Sequence, residues 1–174
     1  MNPTFVNLDF MDIDKFAEEV PALSIEPMQL TRGPLQIALV SLNFGDIAIT
    51  ELSCNQQVAD RIYIDPDWLL VVFQCTPQRW NSCESPANSL TLIRPDSDYR
   101  TLVFEGFRCV EVAIRVELAH EIGLSRWTKL SRVPTVISLP SNTRNVAMRW
   151  FGRLLTNSNA DGLLGFDHSG AATR

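Results

Sequence analysis

Histidine is scarce in this chain: His120 and His168 are the only two among 174 residues, and they stand far apart. A histidine-rich metal centre needs several imidazoles at ligand spacing, so that class of β-barrel enzyme is excluded. His120-Glu121 matches the first half of an HExxH motif, but the residue one helical turn on is Leu124. His120 therefore reads as a surface residue near a helix end. The four cysteines, Cys54, Cys75, Cys83 and Cys109, are dispersed and form no CxxC pair, which argues against a paired-ligand zinc site. Cys54, Cys75 and Cys109 lie in apolar runs and read as small buried hydrophobes. Cys83, beside Glu84, is the most exposed thiol. No metal and no other cofactor is expected.

Other signatures are missing too. There is no GxSxG nucleophile elbow, and no GxxxxGK[ST] or GxGxxG loop to cradle a phosphate. Glu51, Glu105, Glu111 and Glu117 are scattered, without a mark of pairing, and read as solvated surface. Residue chemistry alone names no reaction. No apolar run approaches the ~20 residues of a membrane span. The start, "MNPTFVNLDFMDIDKFAEEV", lacks a basic leader and is acidic, unlike a secretory signal, so a cytoplasmic location is expected. A basic surplus is absent as well: 15 Lys and Arg face 20 Asp and Glu, a net charge of −5. That balance argues against a stand-alone nucleic-acid binder.

What is present is the composition of an ordinary globular domain, 45% hydrophobic and 20% charged. Asp12 is placed to cap a short helix whose Ile13, Phe16, Ala17 and Val20 make one apolar stripe, ended by Pro21. "QLTRGPLQIALVSLNFGDIAITELSC", Gln29 to Cys54, has a Gly33-Pro34 turn, an alternating run, turn residues at Asn43 to Asp46 and a second run. It predicts a long hairpin. The phase shift near Glu51 suggests a bulge or the end of pairing. Further runs are "RIYI" (61–64), "WLLVVFQC" (68–75), "SLTLI" (89–93), "YRTLVF" (99–104) and "FRCVEVAIRV" (107–116). "WLLVVFQC" is almost continuously apolar, which predicts burial on both faces. Turn signals every ~8–12 residues predict a barrel or sandwich of about eight or more mostly antiparallel strands.

Helices are expected near 13–20, 116–123 and 141–156. The middle one is closed by Gly123, with Leu118 and Ile122 on one face. The last one carries a broad stripe of Val146, Ala147, Trp150, Phe151, Leu154 and Leu155. Its apolar width exceeds what one barrel wall needs, so Trp150 and Leu154 are candidates for a homodimer interface. The alternative is that the helix covers its own barrel. The organisation read from the chain is a helical segment at 1–26, a barrel at 27–140, a helix at 141–156 and a tail or linker at 157–174. Trp68, Phe73, Trp80 and Tyr99 either pack the core or line a pocket in the barrel mouth. Arg94 is either a turn residue or a cation placed for an anionic ligand.

The order of these signals resembles the sensory half of AraC-type transcription regulators. The resemblance runs from the G-P turn and Gly-bearing hairpin of "QLTRGPLQIALVSLNFGDIAITELSCNQQVADRIYI" through "DWLLVVFQ", Trp80, "SLTLI" and "RPDSD" to "YRTLVFEGFRCVEVAI". It covers roughly residues 12–155. It implies a mainly β fold, a cupin-like double-stranded β-helix (jelly-roll barrel) with flanking α-helices. It also implies a regulatory, non-enzymatic role: sensing a small-molecule effector and dimerising, with DNA binding left to a separate pair of helix-turn-helix motifs. After Leu155 only 19 residues follow, too few for two such motifs, so this chain alone is not expected to bind DNA or a membrane. A metal-independent enzyme of the cupin superfamily and a purely structural dimerisation module are the competing readings.

Overall fold

The computed structural model describes residues 3–19, 23–129 and 133–160. Among these, twelve strands form two antiparallel sheets with three helices. The strands are β1 (Thr4–Phe10), β2 (Leu23–Gln29), β3 (Ile37–Asn43), β4 (Ile47–Cys54), β5 (Val58–Ile64), β6 (Trp68–Gln74), β7 (Gln78–Trp80), β8 (Cys83–Ser85), β9 (Ser89–Ile93), β10 (Ser97–Val103), β11 (Phe107–Arg115) and β12 (Thr135–Ser138). The helices are α1 (Ile13–Glu19), α2 (Val116–Glu121) and α3 (Ser141–Ala160). One sheet runs β1-β3-β4-β11-β6-β9-β12 and the other β2-β5-β10-β7-β8. From β4 to β11 the chain steps between the sheets, with β7 and β8 together in one of them. This winding closes a mainly β jelly-roll whose core lies between the two sheets.

The hairpin predicted over Gln29 to Cys54 is β3–β4, in register from Ile37↔Cys54 to Asn43↔Ala48. Its turn is closed by Phe44 N–H donating to the Ile47 carbonyl at 2.8 Å. Gly45, at φ 90°, gives its N–H to Asn43 Oδ1. Only glycine takes that backbone angle without steric cost. The expected bulge near Glu51 is not there, because pairing stays regular through Cys54. The phase shift has another cause: β4 is apolar on both faces, at different ends. Ile47 and Ile49 point outward and pack under α3, while Leu52 and Cys54 point into the core. β6 behaves as its unbroken apolarity predicts. Leu70 and Val72 enter the inter-sheet core, Leu69 meets α2, and Phe73 meets α3.

The segment 1–26 differs from the helical reading. Asp12 does cap α1, its Oδ1 taking the Asp14 N–H at 2.9 Å. But β1 precedes that helix and β2 follows it, so the β architecture begins at Thr4 rather than at residue 27. β1 pairs with β3, and β2 with β5. Both are edge strands, which is why Pro27 can sit in β2 without breaking a ladder. Val20 and Pro21 lie outside the described residues.

The stretch around Trp80 and Cys83 is the small hairpin β7–β8, turned by Asn81 at φ 52°. α2 ends at Glu121 and is closed by the turn through Gly123 (φ 81°), as expected, but Ala119 rather than Ile122 faces inward. Ala119 is fully buried and Ile122 exposed. α3 continues four residues past its expected end, to Ala160. The rest of the expected tail, 161–174, lies outside the described residues, as does His168.

Candidate functional site

The two sheets do not fill the space between them. A cavity remains under α1 and β2, offering about 80 Å³ to the centres of water-sized molecules. That is several times the ~10–15 Å³ one ordered water needs. Its walls follow from strand alternation. β4 turns Ala48, Thr50 and Leu52 inward, and β6 turns Trp68 and Leu70. β5 supplies Asp60, Ile62 and Ile64 from the opposite sheet, and β11 supplies Phe107, Glu111 and Ala113. Phe16 of α1, with Leu23 and Ile25 of β2, borders one side. The lining is largely aliphatic and aromatic, broken by five polar side chains: Asn43, Thr50, Asp60, Gln78 and Glu111.

Two of those five are carboxyls, one from each sheet. Asp60 is paired across the ladder with Thr101, whose hydroxyl donates to Asp60 Oδ2 at 3.0 Å. Asp60 Oδ1 is withdrawn from solvent and has no hydrogen-bond partner. Among the described residues Glu111 accepts only a weak thiol contact, from Cys109 at 3.8 Å. Burial pushes the Asp60 carboxyl up to about 6 against the lowering pull of Thr101. It pushes Glu111 up to about 7, with the nearby Asp60 charge adding to the rise. The surrounding thiols are held protonated by burial: Cys54 is raised and Cys109 raised well above its ordinary value. Among the described residues no three His, Cys, Asp or Glu side chains converge to hold a metal ion.

The residues singled out from the sequence are not gathered at one place. Trp68 lines the cavity, with the Arg115 guanidinium stacked 4.5 Å over its ring. Phe73 points the other way and meets Phe151 of α3 edge-on, centroids 6.2 Å apart. Trp80 and Tyr99, each 1% exposed, pack edge-to-face at 5.8 Å in the core and do not line the cavity. Arg94 borders a shallow surface hollow with Tyr63, Asp96, Ser97 and Asp98. Trp150 is 55% exposed on α3, while Leu154 packs onto the sheet with Phe73 and Val110.

Asp60 and Glu111 were not singled out, and Glu111 is not the solvated residue its sequence suggests. In β11 the run Val110, Val112, Ile114 looks like the buried register and places Glu111 outside. Here α2 and α3 cover the outer face, so that register faces outward and Cys109, Glu111 and Ala113 face in. The available signal was a run apolar on both faces, which leaves the side of its odd polar residue open.

No family model matches the chain, and no curated protein matches it in sequence. Among solved structures it is similar to the AraC-like transcriptional activator CuxR. The TM-score is 0.62 at 10% identity, over 91% of this chain and 63% of that one. This chain therefore spans less than two thirds of that protein's length, and at such identity the likeness is one of fold. Procruciferin, an 11S globulin from Brassica napus, aligns over 66% of this chain and 34% of its own with 8% identity. Its TM-score of 0.26 carries no argument. The fold likeness and the resemblance read from the sequence agree.

Proposed function

We propose that this chain is the effector-sensing part of an AraC-type transcription regulator, working in the cytoplasm as a homodimer. On this reading it binds a small molecule in its barrel and passes that state to a DNA-binding region outside it. The observation that carries the reading is the cavity. A barrel serving only as a scaffold gains by filling its interior, because side chains lining a void lose their contact partners. This barrel keeps an apolar space with a few polar groups, the composition of a small-molecule site on a scale of about 80 Å³ that suits a small ligand. The fold shared with CuxR over most of the chain supports the regulatory part.

The test is a thermal-shift screen of small apolar and amphipathic compounds, run in parallel on Ala113→Phe. Ala113 lines the cavity, and a phenyl group there occupies it. Compounds that raise the melting temperature of the parent but not of Ala113→Phe support the reading. A screen in which every shift survives the substitution overturns it.

The carboxyl pair gives the metal-independent enzyme a specific footing. Two acids displaced toward neutrality in one apolar cavity are suited to proton transfer. Following a bound compound by NMR separates the readings: a sensor returns it unchanged, an enzyme converts it.

A further inference from the structure

We propose that the barrel cavity takes a small monoamine, its cationic head held between Asp60 and Glu111 and its apolar body against Leu52, Ile62 and Leu70. This rests on the sensing reading above and names the ligand class.

The first observation is the sign of the polar lining. Its only charged side chains are carboxyls, and among the described residues no lysine, arginine or histidine lines the cavity. Among the described residues, the thiols of Cys54, near Asp60, and Cys109, near Glu111, are held protonated by burial. Arg115, behind Trp68, is already engaged by Asp67 at 3.1 Å. A carboxylate or phosphate ligand would meet two acids and no cation, at a severe desolvation cost.

The second observation is unmet acceptor capacity. Asp60 Oδ1 is buried without a partner, and an ionised carboxylate accepts several hydrogen bonds. A buried acceptor left so costs stability unless something supplies the donor. An ammonium group supplies three donors and the opposite charge. A polyhydroxylated ligand fits poorly, because most of the lining is apolar and would strand its other hydroxyls.

The third observation lies outside the cavity. α1 places Phe16 in its wall, and the segment around it carries Asp12, Asp14, Glu18 and Glu19 against the single Lys15. The four acids are exposed. Acidic charge on the segment that walls a low-dielectric cavity concentrates cations near it and repels anions.

Binding a cation favours the ionised carboxyls, so it expels protons held by Glu111 and Asp60. Affinity therefore rises with pH through about 6 and about 7.

The test uses the full chain with benzylamine, benzyl alcohol and benzoate, which share a ring and differ in the head group. Isothermal titration is run near pH 6 and near pH 8, in buffers of different ionisation heat. Benzylamine is expected to bind about tenfold or more tighter than the alcohol. It should also release protons and weaken at the lower pH, and benzoate should not bind. Glu111→Gln and Asp60→Asn, each isosteric, are expected to bring the amine down to the level of the alcohol. If benzoate or the alcohol binds as tightly as the amine, or the preference survives in both variants, the amine class is wrong while the sensing reading stands. If none of the three binds, the amine class is wrong, and the screen with Ala113→Phe decides the sensing reading separately.

Discussion

Burial raises the Glu111 carboxyl to about 7 and the Asp60 carboxyl to about 6, from ordinary values of 4.5 and 3.8. Over the interval between each pair of values, the folded chain binds more protons than the unfolded one. The stability these groups contribute is therefore full below about pH 4 and lost as pH rises through about 6 and about 7. At ~1.4 kcal/mol per pH unit of displacement, each carboxyl costs the ligand-free fold on the order of 3 kcal/mol by about pH 8. Glu111→Gln and Asp60→Asn remove a titration without changing shape, and the amide oxygen introduced by Asp60→Asn would keep an acceptor for Thr101. Urea midpoints near pH 5 and near pH 8 should show a steep decline for the parent and a flatter one for each variant. Parallel profiles would mean that both side chains are solvated. The same residues show why the site was hard to read. Glu111 in "FRCVEVAIRV" has the pattern of an ordinary outward residue, which α2 and α3 reverse by covering that face, whereas Asp60 in "VADRIYI" shares the register of the buried Val58, Ile62 and Ile64, so its alternation already pointed inward. For Trp80 and Tyr99, left open between core and pocket, the structure shows the core: their rings pack edge-to-face there.

At the scale of elements, α3 uses its apolar stripe in two ways. Phe151, Ala147, Met148 and Leu154 pack over Ile49, Phe73 and Val110 of the sheet. Trp150 and Val146 remain more than half exposed, beside a surface groove with Asn142 and Thr143. The two groups should separate by mutation. Phe151→Ala removes the ring between Phe73 and Trp150 and should cost ~3 kcal/mol or more of stability. Trp150→Glu should leave the melting temperature nearly unchanged and shift the chain from dimer to monomer in sedimentation. A dimer that persists in Trp150→Glu places the interface elsewhere. The strong periodic elements were legible in advance: the β3–β4 hairpin, β6, α3 and the short strands between. β1 was not. Its alternation of Val6, Leu8 and Phe10 with Asn7 and Asp9 is a strand signal, but it lies beside a capped helix that drew the whole segment into one helical reading. β2 was hidden by Pro27, which rules out a central strand and permits an edge.

At the scale of the whole molecule, the expectation is that this chain alone does not hold a DNA duplex. Duplex affinity at moderate salt comes from neutralising phosphates and releasing counterions, which needs cations concentrated on one face. The chain has 15 basic side chains against 20 acidic ones, and several of the basic ones are committed. Arg61 bonds Asp98, Arg79 bonds Glu84, Arg108 bonds Glu51 and Arg115 bonds Asp67. The nearest thing to a basic cluster is Arg144, Arg149 and Arg153 on α3. That helix lies against the barrel through Phe151 and Leu154 and follows the strand β12 rather than a partner helix. A recognition helix must instead stand clear of its support to enter the major groove. An anisotropy titration with labelled duplex at about 0.1 M salt should show no saturable binding at micromolar protein. Joining the chain to a helix-turn-helix region should confer binding that then responds to the occupant of the barrel. Salt-sensitive binding by the chain alone, lost in Arg149→Ala with Arg153→Ala, would instead make α3 a DNA-contacting element. The division of labour between sensing and DNA contact would then fail.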